Sequence, residues 1–114
     1  MKEGDVVLVP LPQADGRIKN RSAIVLRAMP PFADLLVCGI STQLHQKAVG
    51  FDELLEPSHA DFSTSGIKAA SLIRLGFLAV LPVTGFLGVI GSVSAERHRR
   101  LVERLSNYIR AAAP

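Results

Sequence analysis

The sequence predicts a mainly β domain with some α (α+β): a compact barrel or curled sheet of six or seven short strands, followed by one C-terminal helix. Three observations predict it. Apolar runs of five to eight residues recur along the chain and are nearly continuous rather than alternating, the pattern of strands buried on both faces. Proline, glycine and Asp-Gly steps separate these runs, as turns require. After residue 94 the apolar spacing changes to three and four, the period of a helix with one buried stripe. With 114 residues, 48% of them apolar and 20% charged, the chain reads as a single domain over residues 1–114 rather than a disordered segment.

The elements follow in order. Residues 6–11 form the first strand, ended by Pro10 and Pro12. Residues 14–21 read as a polar, basic loop turning at Asp15-Gly16. Residues 22–28 form a second strand, stopped by Met29-Pro30-Pro31, and residues 34–41 a third, leaving into Ser41-Thr42-Gln43. Residues 51–56 read as a strand end or one helical turn, and 58–66 as loop. Residues 71–75, 77–81 and 87–93 complete the strands, with Val83-Thr84-Gly85 as a turn. Ser94 is placed to cap a helix and Glu96 to meet its positive end. His98, Leu101, Val102, Leu105, Tyr108 and Ile109 form its apolar stripe, with exposed pairs Glu96/Arg100 and Arg99/Glu103. Strands this apolar in so short a chain also predict a homodimer interface on the sheet.

Charge is blocked along the chain. Residues 14–50 carry +3, residues 51–66 carry −4 and residues 67–110 carry +5, within a net charge of +3. An acidic insert thus separates two basic regions, and a polyanionic partner fits this balance. The single cysteine, Cys38, excludes an internal disulfide and reads as a buried hydrophobe, and the charged start Met1-Lys2-Glu3-Gly4-Asp5 has no signal-peptide core. The expected setting is reduced and cytoplasmic. Residues 75–95 are uncharged and long enough to span a bilayer. Pro82 and four glycines interrupt them, so two buried strands joined by a turn are predicted and no membrane partner.

The usual catalytic sets are missing from the sequence. His45, His59 and His98 are far apart, and the Asp52/Glu56/His59/Asp61 patch reads as a solvated loop rather than a metal site. No phosphate-binding glycine loop, nucleophile elbow or Cys–His pairing is present. Arg97, Arg99, Arg100, Arg104 and Arg110 alternate with acids and read as a solvated helix face, with His98 a satisfied or interfacial histidine. What remains is Arg21 at the mouth of one strand and Ser41-Thr42-Gln43 at the end of another. A guanidinium beside hydroxyl donors suits a phosphate, because the fork holds two oxygens and a hydroxyl adds a further bond. The plain alternative is an Arg21 that pairs with Asp15 or another loop acid at the surface.

At these residues the chain resembles the MazF/PemK-type toxins of bacterial toxin–antitoxin pairs. Gly4-Asp5-Val6-Val7-Leu8-Val9-Pro10-Leu11-Pro12 resembles the family's first strand. Asp15-Gly16, followed by Lys19-Asn20-Arg21-Ser22-Ala23-Ile24-Val25-Leu26, resembles its basic loop and second strand. Ile40-Ser41-Thr42-Gln43 and the stretch from Ser65-Gly66-Ile67-Lys68 to Ile73-Arg74-Leu75 resemble its later strands, and Gly91-Ser92-Val93-Ser94 its close. The resemblance implies a small SH3-like curled β-barrel, a homodimer, and cleavage of single-stranded RNA without metal or cofactor, leaving a 2′,3′-cyclic phosphate and a 5′-hydroxyl. It implies Arg21 and Ser41 as catalytic residues. Thr42, Gln43, Arg17, Lys19 and Lys47 are expected to support them or bind RNA, and an acidic antitoxin to cover the site. The family's proline after the arginine is Ser22 here, and its strand-end threonine is Ser41. The competing reading is a catalytically silent module of the same fold that binds protein or nucleic acid.

Overall fold

The computed structural model describes residues 1–111, which form one curled, six-stranded antiparallel sheet with a C-terminal helix. The strands are β1 (Asp5–Pro12), β2 (Ile18–Met29), β3 (Asp34–Ser41), β4 (Glu53–Leu55), β5 (Ser71–Leu81) and β6 (Gly88–Ser92). Their spatial order is β4-β5-β3-β2-β1-β6. A single turn, α1 (Phe62–Ser65), precedes β5, and α2 (Ala95–Arg110) follows β6. No helix is long and apolar enough to cross a membrane among the described residues.

The apolar runs lack alternation because the central strands bury both faces. On one face Val6, Ile24, Leu26, Cys38, Ile40, Ile73 and Leu75 pack under α2 through Leu101 and Leu105. On the other, Val7, Val9, Leu11, Ala23, Val25, Leu35 and Val37 form a second core with Phe77, Ala79, Leu81 and Phe86. Consecutive residues of β1 therefore serve two cores, and a one-residue slip would exchange them. Burial pushes the Cys38 thiol up to about 12, so it stays protonated and acts as packing.

Four expectations about the strands need correction. Residues 71–75 and 77–81 are one strand, not two. That strand and β6 do not pair with each other: β5 lies against β3 and β4, while β6 crosses to the far edge beside β1. Nor are both buried, for Leu78, Val80, Val89 and Ile90 are exposed. Uncharged sequence in 75–95 thus marks outer surface as well as core. The fourth concerns the basic loop, since β2 already begins at Ile18 and pairs with β1 from there.

The helix begins as its cap predicts, with Ser94 Oγ accepting from the Arg97 backbone N–H at 3.1 Å. Its stripe ends early. Leu101 and Leu105 are buried, whereas Tyr108 and Ile109 run past the sheet into solvent, Tyr108 resting on Phe51 with ring centroids 4.9 Å apart.

Nor are all the helix arginines a solvated face: Arg99 and Arg110 are exposed, but Arg97, Arg100 and Arg104 are not free. Arg97 is 5% exposed and grips Asp61 with two bonds, Nε to Oδ2 at 2.8 Å and Nη2 to Oδ1 at 3.1 Å. Its Nη1 donates to Glu53 Oε1 at 2.7 Å, and Arg100 and Arg104 converge on the same carboxylate. Asp52 is likewise buried and accepts from the Leu75 and Ala48 backbone N–H groups. The patch read as a solvated loop therefore fastens residues 52–61 to β5 and α2. Gly66 completes the fastening: at φ +77° it ends α1, and a Cβ there would lie 2.1 Å from the Ile90 carbonyl oxygen.

Candidate active site

The site forms at one end of the sheet, where β3 ends and β5 begins beside the projecting part of the β1–β2 hairpin. Arg21 pairs with Val9 across β1–β2, and Ala23 with Gly39 across β2–β3. Carrying that second register two residues outward sets Arg21 opposite Ser41, which itself pairs with Leu72 of β5. Side chains alternate along a strand, so Arg21 and Ser41 project to the face of the second core, that of Val9 and Ala23.

A break in β5 supplies the third wall. Gly39 pairs with Arg74, but its neighbour Cys38 pairs with Leu78. Leu75, Gly76 and Phe77 are therefore extra residues on β5 at this point, a bulge that turns the strand and re-aims its side chains. Arg74, Gly76 and Phe77 consequently line the same cleft as Arg21 and Ser41. The Arg74 guanidinium carbon sits 5.8 Å from the centre of the Phe77 ring, within range of a cation–π contact. Gly39 makes room for that ring: a Cβ at residue 39 would stand 3.1 Å from Phe77 Cδ2 and 3.2 Å from Cγ.

The cleft has a volume of about 560 Å³ and is lined also by Pro12, Gln13, Gln43 and Gln46. None of its lining residues is Asp, Glu or His. Two guanidiniums thus face one space without a carboxylate among its walls. Arg21 Nε is buried and has no hydrogen-bond partner among the described residues, the one buried side-chain polar atom left so. Asp15, the alternative partner for Arg21, lies instead 3.9 Å from Arg17, both side chains being exposed. An orphaned buried donor costs about 1–3 kcal/mol, a cost that a bound oxyanion would remove.

Ser41 is 7% exposed, and its Oγ accepts from the Gln43 backbone N–H at 3.0 Å. That bond uses a lone pair and leaves the hydroxyl proton free to donate into the cleft. Of the predicted residues, Arg21, Ser41 and Gln43 share this cleft. Thr42 is exposed and lines a smaller neighbouring cleft. Lys47 lines a separate one with Glu53, Glu56 and Arg104. Arg17 belongs to the β1–β2 turn and Lys19 to the exposed start of β2 opposite Leu11. Arg74 and Phe77 were not singled out from sequence as site residues. An arginine inside a predicted strand was the available signal for the first.

No metal-holding group of three or more His, Cys, Asp or Glu exists among the described residues. A search of curated proteins returned no match. A family model does match, over residues 2–109, and its description is a PemK-like, MazF-like toxin of type II toxin–antitoxin systems. The match spans β1 to α2 and includes every residue of the strand-end cleft. The chain belongs to the PemK-like, MazF-like toxin family.

Proposed function

We propose that this toxin is an endoribonuclease that cleaves single-stranded RNA in the strand-end cleft without a metal. The observation that carries the reading is the orphaned Arg21 Nε in a cleft whose walls hold a second guanidinium and no carboxylate. In the reaction the 2′-oxygen of one nucleotide forms a bond to the adjoining phosphorus. The bond to the 5′-oxygen breaks, leaving a 2′,3′-cyclic phosphate and a 5′-hydroxyl. Negative charge grows on the non-bridging oxygens as the phosphorane forms. Arg21 and Arg74, with the Ser41 hydroxyl, are placed to bind that charge more strongly in the transition state than in the ground state. A guanidinium stays protonated at neutral pH, so Arg21 acts by charge and fork geometry rather than as an acid. With no imidazole or carboxylate lining the cleft, the 2′-hydroxyl proton passes to solvent, and the departing 5′-oxygen takes its proton from solvent.

Toxins of this kind are restrained by an antitoxin. An acidic, partly disordered partner that folds across the cleft fits its charge. Action in the cytoplasm and a homodimer belong to the same proposal. The lack of a lining base also favours a second reading, in which the cleft binds RNA or an acidic partner without cutting it.

One experiment separates the two. Purified protein in EDTA should cleave single-stranded RNA and leave 5′-hydroxyl ends, and Arg21→Lys should retain little activity, since a point charge lacks the two-pronged fork. Cleavage that needs added magnesium, or leaves 3′-hydroxyl ends, would overturn this mechanism. RNA binding with no cleavage would establish the silent module.

A further inference from the structure

Ser41 lines two clefts. The second has a volume of about 210 Å³ and is walled by Ser22, Thr42, Lys68 and Ser71 over a floor of Ile40 and Ile67. Ser22 and Ile40 alternate along their strands with Arg21 and Ser41, so this cleft lies across the lip of the sheet from the first. The Ser71 hydroxyl is already spent, donating to the Ala69 carbonyl oxygen at 2.8 Å. Lys68 is exposed and forms no ion pair among the described residues. The cleft therefore offers an ammonium and the hydroxyls of Ser22 and Thr42, with no acid and no aromatic ring in its lining.

We infer that this smaller cleft is a backbone subsite, which holds a phosphodiester of the same RNA strand on the far side of Ser41 from the cleaved one. Its chemistry selects a phosphate over a base. Ammonium and hydroxyl groups donate to phosphate oxygens, whereas a base would want a ring to stack on, and the ring lies in the other cleft as Phe77. A strand that crosses the lip at Ser41 would put its nucleoside among Arg74, Phe77 and Gln43 and its neighbouring phosphate beside Lys68. The inference rests on the RNA reading of the larger cleft and adds a site to it.

The test is a chemical double-mutant cycle on binding. The probes are single-stranded RNA oligonucleotides made uncleavable by a 2′-deoxy nucleotide at the cut, each with one neutral methylphosphonate in place of a phosphate. Lys68→Ala should weaken binding of the unmodified probe roughly three- to tenfold, whatever its sequence, and reduce the salt slope by about 0.7. One methylphosphonate beside the cut should weaken wild-type binding by a similar factor and cost the Lys68→Ala protein nothing more. Losses that add at every phosphate, with an unchanged salt slope, would overturn the subsite while leaving the cleavage reading intact. A wild-type protein that binds none of the probes would overturn the reading of the larger cleft, and this one with it.

Discussion

Arg21 is a residue whose value for function and cost to stability should part company. Its Nε is buried without a partner, so an aliphatic side chain of similar length removes the orphan and keeps the packing. Arg21→Met is expected to leave the melting temperature unchanged or raise it by a few degrees. The same change should lower cleavage by on the order of 10²–10³. A clear fall in melting temperature with full activity would assign Arg21 to structure. Ser41→Ala should cost less, because a hydroxyl contributes a neutral hydrogen bond. Gly39 is the reverse case, a residue with no side chain that nonetheless shapes the site. In Gly39→Ala the new methyl must displace the Phe77 ring by a few tenths of an ångström, and Arg74 rests on that ring. We expect a loss in kcat several times larger than the loss in binding of an uncleavable oligonucleotide, with only a modest drop in stability. Arg21 and Ser41 were legible because each is a polar residue at the end of an apolar run. Arg74 and Phe77 were not, because the bulge that aims them appears only in the pairing of β3 with β5.

At the scale of elements, the acidic insert and the last helix behave as one unit. Burial alone would raise the Asp61 carboxyl, but the Arg97 hydrogen bonds and charge, with the Ser94 N–H, outweigh it and hold the group at about 2. In Glu53 burial is likewise overcome, by the hydrogen bond and charge of Arg100 and by the Arg97 and Arg104 charges, which lower the carboxyl from its ordinary value. A carboxyl depressed by folding stabilises the native state fully above its unfolded value and loses that contribution as pH falls toward the folded one. For Asp61 the window runs from its ordinary 3.8 down to about 2, and the contribution is about 2 kcal/mol. Wild-type stability should therefore fall through this window, whereas Asp61→Asn should start lower at neutral pH and fall less. Urea melts at pH 7 and at pH 3 would measure both. Arg97→Ala should be harsher, about 3–5 kcal/mol, because it leaves the largely buried Asp61 carboxylate without a cation, while Glu53 keeps Arg100 and Arg104. The start of α2 could be read from the local grammar of Ser94 and Glu96. The partners of Arg97 could not, since Asp61 and Glu53 lie 36 and 44 residues away, and alternation with nearby acids gives a solvated helix the same pattern.

Across the whole molecule, two groups of three cations stand apart by what faces them. Arg97, Arg100 and Arg104 are consumed by Glu53 and Asp61, so three of the five arginines of α2 are internal bracing. Arg21, Arg74 and Lys68 have no ion pair among the described residues and gather around Ser41, which directs a polyanion to the strand ends. Apolar surface is sorted as well. β6 is an edge strand of the sheet, and Leu87, Val89 and Ile90 on and beside it are 57%, 50% and 40% exposed. An uncharged edge of this kind invites pairing, which monomeric proteins prevent with lysines, prolines or bulges on the edge. No charged residue lies between Arg74 and Glu96, so β6 carries no charge against another strand, and a second copy of the chain can cover it with two-fold symmetry. Light scattering at micromolar concentration should accordingly give twice the 12.2 kDa chain mass. Val89→Lys places a charge on the exposed edge without touching either core, and it should return the mass to that of one chain with the fold retained by circular dichroism. A wild-type protein that is monomeric throughout this range would falsify the dimer. A dimer that persists in Val89→Lys would move its interface away from β6, to the outer side of β5 at Leu78 and Val80.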